Sequence, residues 1–116
     1  MISQYEVSSM IREEIPKFAL KAYPSVISLE VYVSINYFSD YTKNALEEHN
    51  FSLAKRCFAL AEKLYLEGDR VVRLLVENIF VYGFSGLLFN NKVKRAIVKS
   101  IIPPVLYSIY IRQMVA

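Results

Sequence analysis

Apolar positions are densest between Asp69 and Phe89, in the run DRVVRLLVENIFVYGFSGLLF. Val72, Leu75, Val76, Ile79, Phe80, Gly83 and Leu87 recur at i, i+3, i+4, i+7 spacing, which predicts a helix over about 69–89. Val71, Leu74, Val81, Tyr82 and Phe84 add apolar residues on its other sides, and a helix apolar nearly all round is buried or spans a membrane. Arg70, Arg73, Glu77 and Asn78 interrupt its first half, so the uncharged part is too short for a span, which needs about 20 apolar residues. The reading is a buried central helix with the others packed around it. Asp69 is its N-cap, and Gly68 closes the helix before it. Gly83 and Gly86 each cost about 1 kcal/mol against Ala. They mark either a close approach by a neighbouring helix or a kink or helix end. Asn90-Asn91 supplies a stop. Inside the apolar run Glu77 lies four residues after Arg73, and buried polar groups require partners. Arg73, Glu77 and Asn78 are therefore the candidate buried polar network, with ligand contact as the alternative role.

The remaining segments take the same helical period. Ser3-Gln4-Tyr5-Glu6 fits a capping box opening a first helix, with Val7, Met10, Ile11 and Ile15 on one face. Pro16 breaks that helix, and one or two further turns are expected before Pro24. From Ile27 to Tyr37 every odd position is apolar and most even ones are polar, a strand-like alternation rich in β-branched residues. No turn signal follows and no second strand is available to satisfy a lone strand's backbone. The run also passes without a break into helical spacing at Leu29, Val33, Tyr37 and Tyr41, so a helix from Pro24 or Ser28 to His49 is expected. The next helix carries the stripe Ala54, Cys57, Phe58, Ala61, Leu64 and Tyr65 and ends at Gly68. NKVKRAIVKSII forms a shorter amphipathic helix with Val93, Ile97 and Ile101 inward. Pro103-Pro104 separates it from a last helix carrying Leu106, Ile109 and Tyr110, with Pro104 in the first turn. The fold class is all-α. The expected architecture is a compact bundle, or a short right-handed array, of five to six antiparallel helices with short connections.

The chain of 116 residues fits a single domain, 1–116. Three glycines and four prolines argue against a turn-rich sandwich, and one cysteine, Cys57, excludes an internal disulfide. The N-terminus lacks the basic start and continuous apolar core of a signal peptide, so the expected location is cytoplasmic. Charge is uneven: residues 1–50 carry four basic and seven acidic side chains, and residues 51–116 carry ten and four. After Glu77 there is no acidic residue. Lys92, Arg95 and Lys99 line one face of the short helix at i, i+3, i+7 and are the candidate partner-binding residues. Either the acidic N-terminal half or an external acidic partner complements them.

Asn50-Phe51-x-x-Ala54-x3-Phe58-x2-Ala61 resembles the second helix of a tetratricopeptide repeat. There, small alanines admit a neighbouring helix and the aromatic fills the groove. Phe38 and Tyr41 stand at the partner helix's large-residue positions. Thr42 stands where the family has Gly, and the Pro that ends the repeat is missing. The resemblance covers roughly one 34-residue unit. The whole pattern, with EEIPKF, LAKRCFALAEKLYLEGDRVV and IIPPVL in that order, is similar to small uncharacterised bacterial helical proteins. Some compact families of that kind act as immunity proteins in toxin systems.

Recognisable chemistry is not found. One His and one Cys fit no metal-ligand spacing. His49 sits at a helix end, where a cation suits the last carbonyls. Cys57 lies on an inner stripe as a small apolar residue. Glu13-Glu14 and Glu47-Glu48 are neighbours that diverge by about 100° on a helix. No catalytic set, cofactor site or metal site is assigned. Nine tyrosines and seven phenylalanines exceed what a core needs, and Tyr is favoured on recognition surfaces. The expected function is a non-enzymatic protein–protein interaction module, of immunity or adaptor type. Its partner is another protein, acidic in character, or a second copy of the chain. Nucleic-acid binding through the basic C-terminal half is the alternative.

Overall fold

The computed structural model describes residues 1–15, 27–84 and 92–115, with side chains at all of these except 27–30 and 92–95. Six helices occur among the described residues: α1 (Val7–Glu14), α2 (Ile27–Glu47), α3 (Phe51–Glu67), α4, α5 (Lys92–Ile101) and α6 (Pro104–Val115). α4 opens as an α-helix over Arg70–Leu75, widens into a π-helical segment at Val76–Val81, and returns to α-helix over 82–84. The fold is all-α, and no strand is present among the described residues. The turns expected before Pro24 and the end of the central apolar run at 85–89 lie outside the described residues.

α1 ends where Pro16 requires, with Ile15 outside the helical region at φ −129° and ψ 83°. The capping box forms by half: the Ser3 amide donates to Glu6 Oε2 at 3.0 Å, while the Ser3 hydroxyl takes the amide of Tyr5. α2 is helical through the alternating stretch. Val31, Ser34, Ile35 and Phe38 are buried at i, i+3, i+4, i+7, whereas Tyr37, in phase with the strand-like pattern, is exposed. Burial along a helical stripe outweighs the local β-propensity of Val and Ile. The hydroxyl residues of that stripe are small enough to let helices approach. Thr42 is fully buried and donates to the Phe38 carbonyl at 2.8 Å.

α2 turns into α3 over 48–50. Asn50 N–H donates to the Ala45 carbonyl and His49 N–H to that of Leu46, the double bond pattern of a Schellman motif. His49 carries the left-handed conformation this cap requires, φ 59°. The Asn50 side chain then accepts from the Leu53 amide and caps α3. α2 packs extensively on both α3 and α4. Ala54, Cys57, Phe58, Ala61 and Leu64 are all fully buried along α3.

The core centres on four phenylalanines from three helices. Phe38 of α2, Phe58 of α3, and Phe80 and Phe84 of α4 stand with ring centroids 5.1–6.0 Å apart in tilted or edge-on pairs. α4 packs on α2, α3 and α6 and so takes the central place, burying Val72, Val76, Phe80, Val81 and Phe84. It is not buried all round: Val71, Leu74 and Tyr82 form part of an exposed stripe. Gly83 lies at the crossing with α2, where an added Cβ would stand 3.0 Å from Ser39 Oγ and 3.2 Å from Lys43 Nζ. α5 buries Val98, with Ile97 and Ile101 half-buried, and Val93 lies outside the described side chains. α6 starts at Pro104 and buries Leu106, Ile109 and Tyr110.

One tertiary feature lies outside any helix. The N-terminal residues run parallel to the α3–α4 connection and bridge Ile2 to Gly68. Ile2 N–H donates to the Glu67 carbonyl at 2.6 Å, and Asp69 N–H to the Ile2 carbonyl at 2.7 Å. Gly68 is extended, at φ −73° and ψ 156°. Its role is therefore close approach rather than left-handed backbone. A Cβ there would collide with the Leu64 carbonyl oxygen and stand 2.6 Å from Val72 Cγ1.

Candidate functional site

The arrangement that stands apart from ordinary packing is built on Glu77, within the π-helical segment of α4. In a π turn the amide bonds five residues back, and such segments are rare, short and frequent at functional sites. Here the Tyr82 N–H reaches the Glu77 carbonyl. That same carbonyl also accepts from Gln113 Nε2 of α6 at 2.8 Å. The side chain of Glu77 is a second hub. Its Oε1 accepts from the Tyr65 hydroxyl of α3 at 2.9 Å and from Arg112 Nη2 of α6 at 2.7 Å. Three helices are thus tied at one residue.

The Glu77 side chain is 23% exposed and that of Arg112 63% exposed, so the pair lies at the surface with its acid the better-covered partner. The Tyr65 hydroxyl, then the charge of Glu77 and its hydrogen bond, hold the Arg112 guanidinium above its already high ordinary range. Beside this hub opens a cleft of about 460 Å³ lined by Tyr65, Arg70, Arg73, Leu74 and Glu77. Arg70 and Arg73 are exposed along its rim, and Leu74 is 44% exposed. The cleft thus has a basic rim, one apolar side chain, and a floor whose acid is already bonded.

The polar network expected of Arg73, Glu77 and Asn78 is corrected in two of its members. Glu77 is the hub, but its cationic partner is Arg112, reached through tertiary packing from 35 residues away. Arg73, one turn before Glu77, lines the cleft instead. Asn78 is exposed and lies outside the network. The physical reason is the face each residue takes: α4 presents Asn78 to solvent, while α6 brings a guanidinium directly onto the carboxylate. Spacing within one helix cannot report a partner on another. Of the candidate partner-binding residues, the side chains of Lys92 and Arg95 lie outside the described residues. Lys99 is exposed, with its ammonium 5.7 Å from the centroid of the Tyr107 ring, within cation–π range.

Other chemistry-bearing residues occupy structural places. Cys57 is fully buried, and desolvation pushes its thiol above the ordinary range, against the lowering effects of the Thr42 hydroxyl and the Arg56 charge. His49 is exposed, its ring edge-on to Phe51 at 5.6 Å. Glu13, Glu14, Glu47 and Glu48 are all exposed. Among the described residues no group of three or more His, Cys, Asp or Glu side chains is placed to hold a metal ion. No helix among them is long and apolar enough to cross a membrane.

The chain belongs to the family described as a domain of unknown function, DUF7674, which matches residues 9–116. The match covers all six helices except the first two residues of α1. No curated protein and no solved structure matches the chain.

Proposed function

We propose that this protein is a non-enzymatic protein–protein interaction module, bacterial and cytoplasmic, of immunity or adaptor type. In this reading the α2–α3 pair serves as a single tetratricopeptide-like unit: Ala54, Phe58 and Ala61 pack the inner face, and Thr42 substitutes for the small residue of the first helix. The observation that carries the reading is the cleft between α3 and α4. Its floor is fixed by the Tyr65–Glu77–Arg112 bonds, while Arg70, Arg73 and Leu74 stand exposed around it. A rigid floor under an exposed mixed rim suits recognition, because little side-chain freedom is lost at the floor when a partner seats. Glu77 and Cys57, the groups nearest to catalytic character, are committed to hydrogen bonds and to the core respectively.

A photo-crosslinking amino acid installed at position 74 tests this in living cells, with position 32 on the exposed face of α2 as control. A discrete protein crosslinked from position 74, absent from position 32 and lost in the Arg70→Glu/Arg73→Glu variant, is the expected result. A crosslink only to a second copy of the chain makes self-association its function. Crosslinks only to nucleic acid, or none from a folded protein at native abundance, overturn the reading.

A further inference from the structure

We infer that the cleft receives an acidic, amphipathic segment of the partner protein, with carboxylates on Arg70 and Arg73 and an apolar side chain on Leu74. This rests on the interaction-module reading and specifies what that module recognises.

The first ground is where the arginines stand. Arg70 and Arg73 lie at i, i+3 at the start of α4, so they share a face. A helix N-terminus carries positive partial charge and favours acids, and cations there are placed against the dipole. No acidic residue offsets them in the first turn. Neither charge is joined to an acid by an ion pair among the described residues.

The second ground is that the nearby acids are occupied. Asp69 spends Oδ1 on the Val72 amide and Oδ2 on the Gln4 amide. Glu77 gives Oε1 to Tyr65 and Arg112. No ion pair joins Arg70 or Arg73 to an acid among the described residues. Two guanidinium forks thus remain open at the rim, and the planar fork matches a carboxylate with two parallel hydrogen bonds.

The third ground is selectivity. Leu74 offers an apolar contact between the arginines and the floor, for which a phosphate backbone has no counterpart. The volume of about 460 Å³ accommodates a few side chains rather than a whole domain face.

Fluorescence anisotropy with a short labelled peptide of Glu, Asp and Leu tests the inference on the full chain. Two further probes accompany it: the same peptide with Lys for each acid, and a single-stranded DNA of matching length. The acidic peptide is expected to bind, more weakly as salt rises, since exposed charges are screened. Arg70→Glu/Arg73→Glu is expected to weaken it by about tenfold or more, which is one decade of affinity. Leu74→Asp weakens it without altering the helical circular dichroism. The double reversal is also expected to leave the melting temperature nearly unchanged, since both arginines are exposed and neither is joined to an acid among the described residues. A merely structural role for the arginines predicts a fall. Peptide binding indifferent to the double reversal, or tighter binding of the DNA than of the peptide, overturns the inference. If position 74 crosslinks a cellular protein while the acidic peptide fails to bind, the interaction module stands and only the acidic specificity falls.

Discussion

The backbone amide of Gln4 donates to Asp69 Oδ2 at 2.9 Å, across 65 residues of chain. The other oxygen of the same carboxylate caps α4 through the Val72 amide at 3.0 Å. One side chain thus starts the central helix and fastens the N-terminus to it. Asp69→Ala is expected to cost about 2 kcal/mol, combining a lost cap with an amide left half-buried and unpaired. Asp69→Asn keeps one acceptor oxygen and should cost less than half as much. Urea denaturation of the two variants checks the order. Equal losses would show that the acceptor kept by Asn contributes nothing, and an unchanged Asp69→Asn variant that the Gln4 contact contributes nothing.

Gly83 and Ser39 form a coupled pair. The Ser39 hydroxyl is buried with no hydrogen-bond partner among the described residues, and it stands 3.0 Å from where a Gly83 Cβ would sit. Ser39→Ala should be neutral or stabilising, because it removes an unsatisfied buried group. Gly83→Ala gains about 1 kcal/mol of helix propensity but presses on that oxygen. In the Ser39→Ala background the pressure is relieved, so Gly83→Ala should be more favourable there than in the wild type. A double-mutant cycle measures this, and strict additivity would refute the close contact.

Phe58 is fully buried and touches Phe80 and Phe84 edge-on or tilted. Phe58→Ala should lose about 3–5 kcal/mol, a large share of the stability of a domain this size. Thermal melting followed by circular dichroism is the check. A fall of only a few degrees would mean that the aromatic cluster is not the centre of the core.

Cys57 sets an alkaline dependence. Burial raises its thiol in the folded state above the unfolded value, so the unfolded chain loses the proton first. The protection is complete below about pH 8.5, the ordinary thiol value, and is lost as pH rises towards the folded value. The stability advantage of the wild type over Cys57→Ala should therefore shrink above about pH 8.5. Denaturant unfolding at a series of pH values tests it. An advantage that grows with pH would reverse the sign and place a stabilised thiolate in the core.

Local spacing along the chain sets the helices and much of which face each one buries. Leu106, Ile109 and Tyr110 on α6, the α3 stripe from Ala54 to Leu64, the Pro16 stop and the Asp69 cap are all local facts. Each depends on spacing of 3.6 residues per turn or on a residue's own backbone chemistry, which a single chain displays directly. The alternation over 27–37 was legible only in part. Its strand-like pattern is real, and it yields because the stripe of Val31, Ser34, Ile35 and Phe38 buries more as a helix against α1, α3 and α4.

Packing between helices set the rest. It set Arg112 on Glu77 in place of Arg73, placed the Gln113 amide on the Glu77 carbonyl, laid Ile2 along Gly68, and gathered Tyr65 with Arg70 and Arg73 around one cleft. These are pairings between elements far apart in sequence. A carboxylate takes whichever donor packing delivers, and the neighbour four residues away is only one contender. The π turn at Val76–Val81 belongs with them. Its local spacing is that of an ordinary apolar helix, and the wider turn carries the carbonyl that holds α6 in place.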